Sequence, residues 1–163
     1  MGLEIRPVEP YDVDEIVAMV HELAEFEKAP DECHLTGDQL RTALFREAPA
    51  LFGHVALLDG VHVGTALWFL SFSTWTGVHS VYLEDLFVRP AARGTGAGKA
   101  LVATLAAVCM DHGYERLEWA VLDWNPALGF YRALGAQIKH DWLPHRLAGD
   151  ELRSLAAVAP VRS

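Results

Sequence analysis

Apolar and polar positions alternate from Leu3 to Val8, the period of a strand with one buried face. Pro10 and Asp12 then open a helix whose apolar positions, Val13, Ile16, Val17, Val20, Leu23 and Ala24, fall on one stripe. Carried on by a turn, the stripe reaches Glu27, a carboxylate either at a solvated helix end or aimed into a cleft. Ala29-Pro30-Asp31-Glu32 breaks this helix. Thr36 reads as the N-cap of a second, short helix through Leu40, Ala43 and Leu44, which Pro49 ends. Two β-rich runs follow, Ala50 to Leu58 and Val61 to Phe72, joined at Asp59-Gly60 with the residues of a type I′ hairpin turn. Ser71 to Gly77 is then a polar loop around Trp75, an aromatic that is a surface residue or the wall of a substrate site.

Val78 to Val88 is another strand, and it carries two adjacent acids, Glu84 and Asp85. Strand alternation predicts that they point to opposite faces. Either they are held by an ion pair or a bulge, or at least one lines a cleft. The strand leads into Arg93-Gly94-Thr95-Gly96-Ala97-Gly98, and an amphipathic helix leads out of it to about His112, with Gly113 as a left-handed cap. Arg116 to Leu122 reads as the next strand. Asn125-Pro126 reads as an N-cap with proline at the first helical position, opening a helix to Leu134 that Gly135 ends. On pattern alone Tyr131 belongs to that helix's packed face, with Ala127, Phe130 and Leu134. Ala136 to Asp141 begins a last strand and Asp150 to Ala157 forms a terminal helix. The order βααβββαβαβ predicts an α/β fold, an α+β mixed sheet, in one domain over residues 1–163.

With 163 residues and 52% hydrophobic content the chain can bury a sizeable core, which excludes a disordered protein. Thirteen Lys and Arg against 22 Asp and Glu give a formal charge of −9. That balance disfavours nucleic acid and anionic membrane as partners and favours a cationic ligand. The opening residues show neither a basic n-region nor an apolar h-region, so a cytoplasmic protein is expected. Cys33 and Cys109 form no CxxC pattern, and His140 and His145, five apart, match no helix face. No disulfide and no metal are therefore expected.

A strand, a glycine turn and a helix N-terminus in succession suit a phosphate or pyrophosphate. A P-loop would need glycine at Arg93 and Ser or Thr at Ala100, and a dinucleotide fingerprint would need glycine at Lys99. The pattern that fits is Arg/Gln-x-x-Gly-x-Gly/Ala, on Arg93, Gly96 and Gly98, which resembles the acetyl-CoA pyrophosphate loop of the GNAT acetyltransferases. Four runs resemble the diamine (spermidine/spermine) N-acetyltransferase branch and its thialysine N-acetyltransferase relatives: Tyr82 to Val88, Arg93 to Gly98, Ala120 to Asn125 and Phe130 to Ala136.

The resemblance implies a GNAT fold and an acetyl-CoA-dependent N-acetyltransferase that acts on a small amine by direct attack in a ternary complex, releasing coenzyme A. It implies that Arg93, Gly94, Thr95, Gly96, Ala97 and Gly98, with Lys99 next to them, hold the CoA pyrophosphate. The edge of Leu86, Phe87 and Val88 would pair with the pantetheine arm, and Asn125 would contact the cofactor. Tyr131 becomes the general acid beside the sulfur and Glu84 the general base. A lysine-type ammonium has a pKa near 10.4 and must lose a proton before attack, while a leaving thiolate gains from a phenol donor. The Phe87 N–H is the expected oxyanion donor. Glu27, Ser73, Trp75, Glu84 and Asp85 are the expected amine-binding residues. Ser73 stands where the polyamine enzymes carry an acid, and Ser73-Thr74-Trp75 resembles the thialysine branch, so an amine bearing its own carboxylate is expected. The related enzymes imply a homodimer. Protein lysine or N-terminal acetylation, and non-catalytic acyl-CoA sensing, are the alternative readings.

Overall fold

A computed structural model describes residues 2–160. Met1 and residues 161–163, which the single-domain expectation includes, lie outside the described residues. The chain divides into two compact units after Leu128.

The first unit holds a five-stranded sheet in the order β1-β2-β3-β4-β5. Its strands are β1 (Leu3–Pro7), β2 (Phe52–Leu58), β3 (Val61–Ser73), β4 (Val78–Val88) and β5 (Leu117–Glu118). The first four pair antiparallel, and β5 lies parallel to β4. A parallel neighbour needs a crossover, which α3 (Ala97–His112) supplies. Asp59 and Gly60 both take positive φ, 50° and 83°, as the predicted hairpin turn requires. Leu101, Leu105 and Cys109 of α3 pack on one sheet face with Ala56, Ala66, Trp68, Val81 and Leu83. On the other face α1 (Val13–Phe26) and α2 (Gly37–Phe45) bury Val13, Ile16, Met19, Leu40 and Leu44 against Val55, Leu57, Leu67 and Phe87. Thr36 caps α2 in a reciprocal box with Gln39.

Charges pin α1 at both ends. Asp12, fully buried just before α1, accepts two bonds from Arg6 (2.7 and 2.9 Å), one from the Glu9 N–H (2.8 Å) and lies 2.7 Å from His62 Nε2. Arg89, just past β4, reaches Glu22 and Glu15 of α1 and donates to the His62 carbonyl. The end of α1 is thereby held over the second half of β4.

Two strand expectations are corrected. The run 116–122 forms a ladder only at Leu117 and Glu118, because β4 bulges two residues past Tyr82 and a bulged strand bends away from its neighbour. Ala136 to Asp141 forms no strand among the described residues. A run containing Gln137, Lys139, His140 and Asp141 has little apolar face to pack, and strand propensity is expressed only against a neighbour. The helix α4 (Leu128–Ala133) begins two residues later than the start at Pro126 that Asn125-Pro126 predicts. The Asn125 side chain accepts the Ala127 N–H (2.8 Å) and makes a turn of its own first. Gly135 ends α4 at φ 94°, as expected. The last element is α5 (Gly149–Ala156).

Candidate active site

The glycine loop begins where β4 ends. Pro90–Ala92 make one 3-10 turn, and buried Ala92 and Ala97 fasten the loop to the core at its two ends. Gly94 and Gly96 between them take φ 83° and 89°, conformations that side chains resist. A Cβ on either would meet no heavy atom within 4 Å, so the loop faces open space. The first helical bond of α3 runs from the Ala100 N–H to the Gly96 carbonyl (2.9 Å). Helix geometry leaves the N–H groups just before Ala100 without an intrahelical acceptor, and the positive end of the dipole adds to them. The loop therefore suits a pyrophosphate. The Arg93 side chain turns back to the protein: Nε donates to the Val88 carbonyl (3.1 Å), and the guanidinium lies over the Phe26 ring (5.2 Å) and the Phe87 ring (5.9 Å). Lys99 is exposed in the first turn.

The β4 edge beside the loop is open. β5 pairs with β4 only at Val81 and Tyr82, so Leu86, Phe87 and Val88 are paired with β3 alone among the described residues. That edge can accept an extended, amide-bearing ligand.

The two acids do not lie on opposite faces. Leu83 pairs with Trp68 and Asp85 with Leu67, which leaves Glu84 as an extra residue with no partner on β3. Before this bulge the odd residues Val81 and Leu83 face α3; after it the even residues Leu86 and Val88 do, while Phe87 packs with α1. Counted from either side, Glu84 and Asp85 share the face covered by α1 and α2. Glu84 is exposed and Asp85 partly buried. Burial first, then the charges of Glu84 and Glu27, push the Asp85 carboxyl up to about 6. Burial also raises Glu27, the C-cap of α1. Glu27 is partly exposed, and its charge is among those that act on Asp85.

Other expected residues lie elsewhere. Ser73 and Trp75 sit at the β3–β4 turn, where Ser73 Oγ accepts the Thr76 N–H (3.3 Å) and Trp75 is 82% exposed. Ser73 pairs with Val78, and the strand from Val78 to Glu84 spans roughly 20 Å, so this chain does not bring Ser73 and Trp75 to the acids. Asn125 spends its carbonyl on Ala127, beside Trp124, whose ring is tilted on Phe26 (6.2 Å) and lies under the Lys28 ammonium (4.3 Å). In the second unit Tyr131 is half-buried on α4, with Phe130 edge-on to its ring (5.2 Å). Sequence reasoning missed Phe26, Lys28 and Arg89. The alternation of Arg89 with distant carboxylates leaves no local signal, but Glu15 and Glu22, two turns apart on one helix face, mark a place for a cation.

A sheet layered between helices, with a pyrophosphate-type loop at the end of β4 and an open strand edge beside it, defines an acyl-CoA-type transferase. Residues 16–136 match the family model described as Acetyltransferase (GNAT) family. The chain belongs to that family and is an acetyltransferase. It is 37% identical to the thialysine N-epsilon-acetyltransferase of Bos taurus, covering 93% of this chain and 96% of the relative. To the Caenorhabditis elegans enzyme of that name it is 34% identical, over 95% and 98%. Among solved structures an integron cassette protein from V. cholerae superposes with a TM-score of 0.79 at 28% identity, covering 96% of this chain and 98% of that one. GNAT acetyltransferases take their acyl group from acetyl-CoA. No helix among the described residues is long and apolar enough to cross a membrane.

Proposed function

We propose that this chain, as one catalytic domain, transfers acetyl from acetyl-CoA to the primary amine of a small cationic acceptor of the lysine or thialysine type. The observation that carries the reading is the bulge at Glu84, which turns both acids of β4 onto the face that Glu27 also borders. An ammonium entering there meets carboxylates on two sides.

Acetyl-CoA, when bound, supplies the activated thioester. Gly94 and Gly96 offer open space, and the N–H groups of Ala97, Gly98 and Lys99, ahead of the first helical bond, offer donors to its pyrophosphate, while the free edge of Leu86, Phe87 and Val88 offers backbone groups to its amide-bearing arm. Arg93 shapes the loop through its bond to Val88. Asn125 completes the cofactor contacts. Glu84 is the general base that takes the proton from the acceptor ammonium, and Asp85 beside it, its carboxyl raised by burial and by the charges of Glu84 and Glu27, is a second acceptor for that proton. Tyr131 Oη gives a proton to the leaving sulfur. The 34–37% identical relatives named for thialysine support the choice of acceptor. We further infer a cytoplasmic homodimer; the exposed Phe72 and Trp75 at the hairpin tip support a self-association surface.

The test is release of free CoA thiol from acetyl-CoA with thialysine, lysine, spermidine, putrescine and a mixed peptide between pH 7 and 9. Turnover with thialysine or lysine well above spermidine is expected. Comparable turnover of spermidine and thialysine overturns the acceptor assignment, and no turnover with any amine overturns the small-amine reading.

A further inference from the structure

Three helices end in the same backbone motif, and one of them ends on the wrong residue. The residue that turns left-handed is Gly113 after α3 (φ 73°) and Gly135 after α4 (φ 94°). After α1 it is Lys28, at φ 62°. The bonds there match those of a glycine cap: Ala29 N–H to the Ala24 carbonyl (2.9 Å) and Lys28 N–H to the Glu25 carbonyl (3.0 Å). Asp59 is the other non-glycine residue with positive φ among those described, and it sits in a hairpin turn that favours Asp. Lys28 thus occupies, against its steric preference, a place where glycine fits freely, and an outlier of this kind beside a site points to a role.

Its surroundings say what the role is. The ammonium is held 4.3 Å from the centre of the Trp124 ring, and Trp124 is tilted against Phe26, so the cation is fixed at the end of α1. No ion pair among the described residues uses it. The preceding residue is Glu27, whose charge reaches Asp85. An anchored cation therefore stands next in the chain to the acids that receive the acceptor ammonium. Two opposite charges side by side match an acceptor that carries both.

We propose that Lys28 determines specificity by receiving the α-carboxylate of a lysine-like amino acid while its side-chain ammonium lies among Glu27, Glu84 and Asp85. This rests on the small-amine reading above. Loss of the cation selects against amino acids and in favour of diamines, which it repels.

The experiment compares thialysine with its decarboxylated counterpart, bis(2-aminoethyl) sulfide, in wild type, Lys28→Gly and Lys28→Arg. Glycine suits the backbone, so Lys28→Gly folds and melts no lower than wild type. Its KM for thialysine rises about tenfold, with kcat within about twofold. Its KM for the diamine falls by about half, as a like charge is removed. Lys28→Arg keeps the preference for thialysine. Equal changes in the two KM values, or none, overturn the proposal and leave Lys28 as a helix cap. If wild type turns over the diamine as well as thialysine, the small-amine reading stands and this one falls. If wild type turns over neither, both fall.

Discussion

Replacing Asp85 by Asn makes the protein more stable and the enzyme worse, and the size of each effect follows from where the carboxyl sits. In the folded chain its pKa is raised from the ordinary 3.8 to about 6 by burial, with Glu84 and Glu27 adding to it. Below the unfolded value both states are protonated and the carboxyl is at no disadvantage. As pH rises through 6 the folded state must ionise a partly buried acid beside two others, and that share of stability is lost. At 1.36 kcal/mol per pKa unit the ceiling is about 3 kcal/mol, and the partial exposure of Asp85 screens this to about 1–2 kcal/mol. For a chain of this length that is a rise in Tm of about 3–6 °C in Asp85→Asn at pH 7.5, shrinking to less than about 1 °C at pH 4. Scanning calorimetry at the two pH values measures it. Over the same range kcat/KM for thialysine in wild type falls on the acid side with a limb near 6, and Asp85→Asn loses that limb and about 100-fold in rate. A variant that melts at or below wild type at pH 7.5, or that keeps both the limb and the rate, refutes the reasoning from the bulge to the base.

Asp12→Asn has the opposite sign. The Arg6 guanidinium, the Glu9 N–H and His62 hold Asp12 at about 2 against the cost of its burial, so its contribution is present above the unfolded value of 3.8 and lost as pH falls through 2. The variant is less stable by about 2 kcal/mol at pH 7, and urea denaturation repeated near pH 2 shows the gap closing. Gly96→Ala forces a side chain to φ 89°, lowers stability by about 1–2 kcal/mol and weakens acetyl-CoA binding by calorimetric titration; binding at wild-type affinity would dissociate the loop from the cofactor. Tyr131→Phe loses about 100-fold in kcat with thialysine, and a wild-type rate removes Tyr131 as the acid.

The parts of this molecule that were legible in the chain are those whose physics is local. Asp59-Gly60 demands two positive φ values and has them; Thr36 and Gln39 cap each other across three residues; Gly135 ends its helix because only a few neighbouring bonds are involved. The glycine loop belongs with them, since its strand, turn and helix N-terminus are consecutive. What local reasoning could not reach is decided by partners far along the chain. The run Ala136 to Asp141 alternates like a strand at Ala136 and Ile138 but finds no ladder among the described residues. Asp12 resembles a helix opener until β1 brings Arg6 to it and β3 brings His62.

The acids of β4 show the cost of that limit most directly. Strict alternation puts Glu84 and Asp85 back to back, an arrangement in which they cannot serve one ammonium. A single unpaired residue, set by how Leu67 and Trp68 of β3 meet Asp85 and Leu83, reverses the parity and puts both on the face bordered by Glu27. Nothing in the run Tyr82 to Val88 announces that skip, because it is a property of the pairing and not of the strand. The skip also explains why the neighbouring strand stops at Glu118: the bend that turns the acids together carries the rest of β4 away from β5 and leaves its edge free. One irregularity in register thus accounts for the paired carboxylates and for the open strand beside the glycine loop. In the reaction proposed above, acceptor and acyl donor therefore approach the same few residues of one strand from different sides.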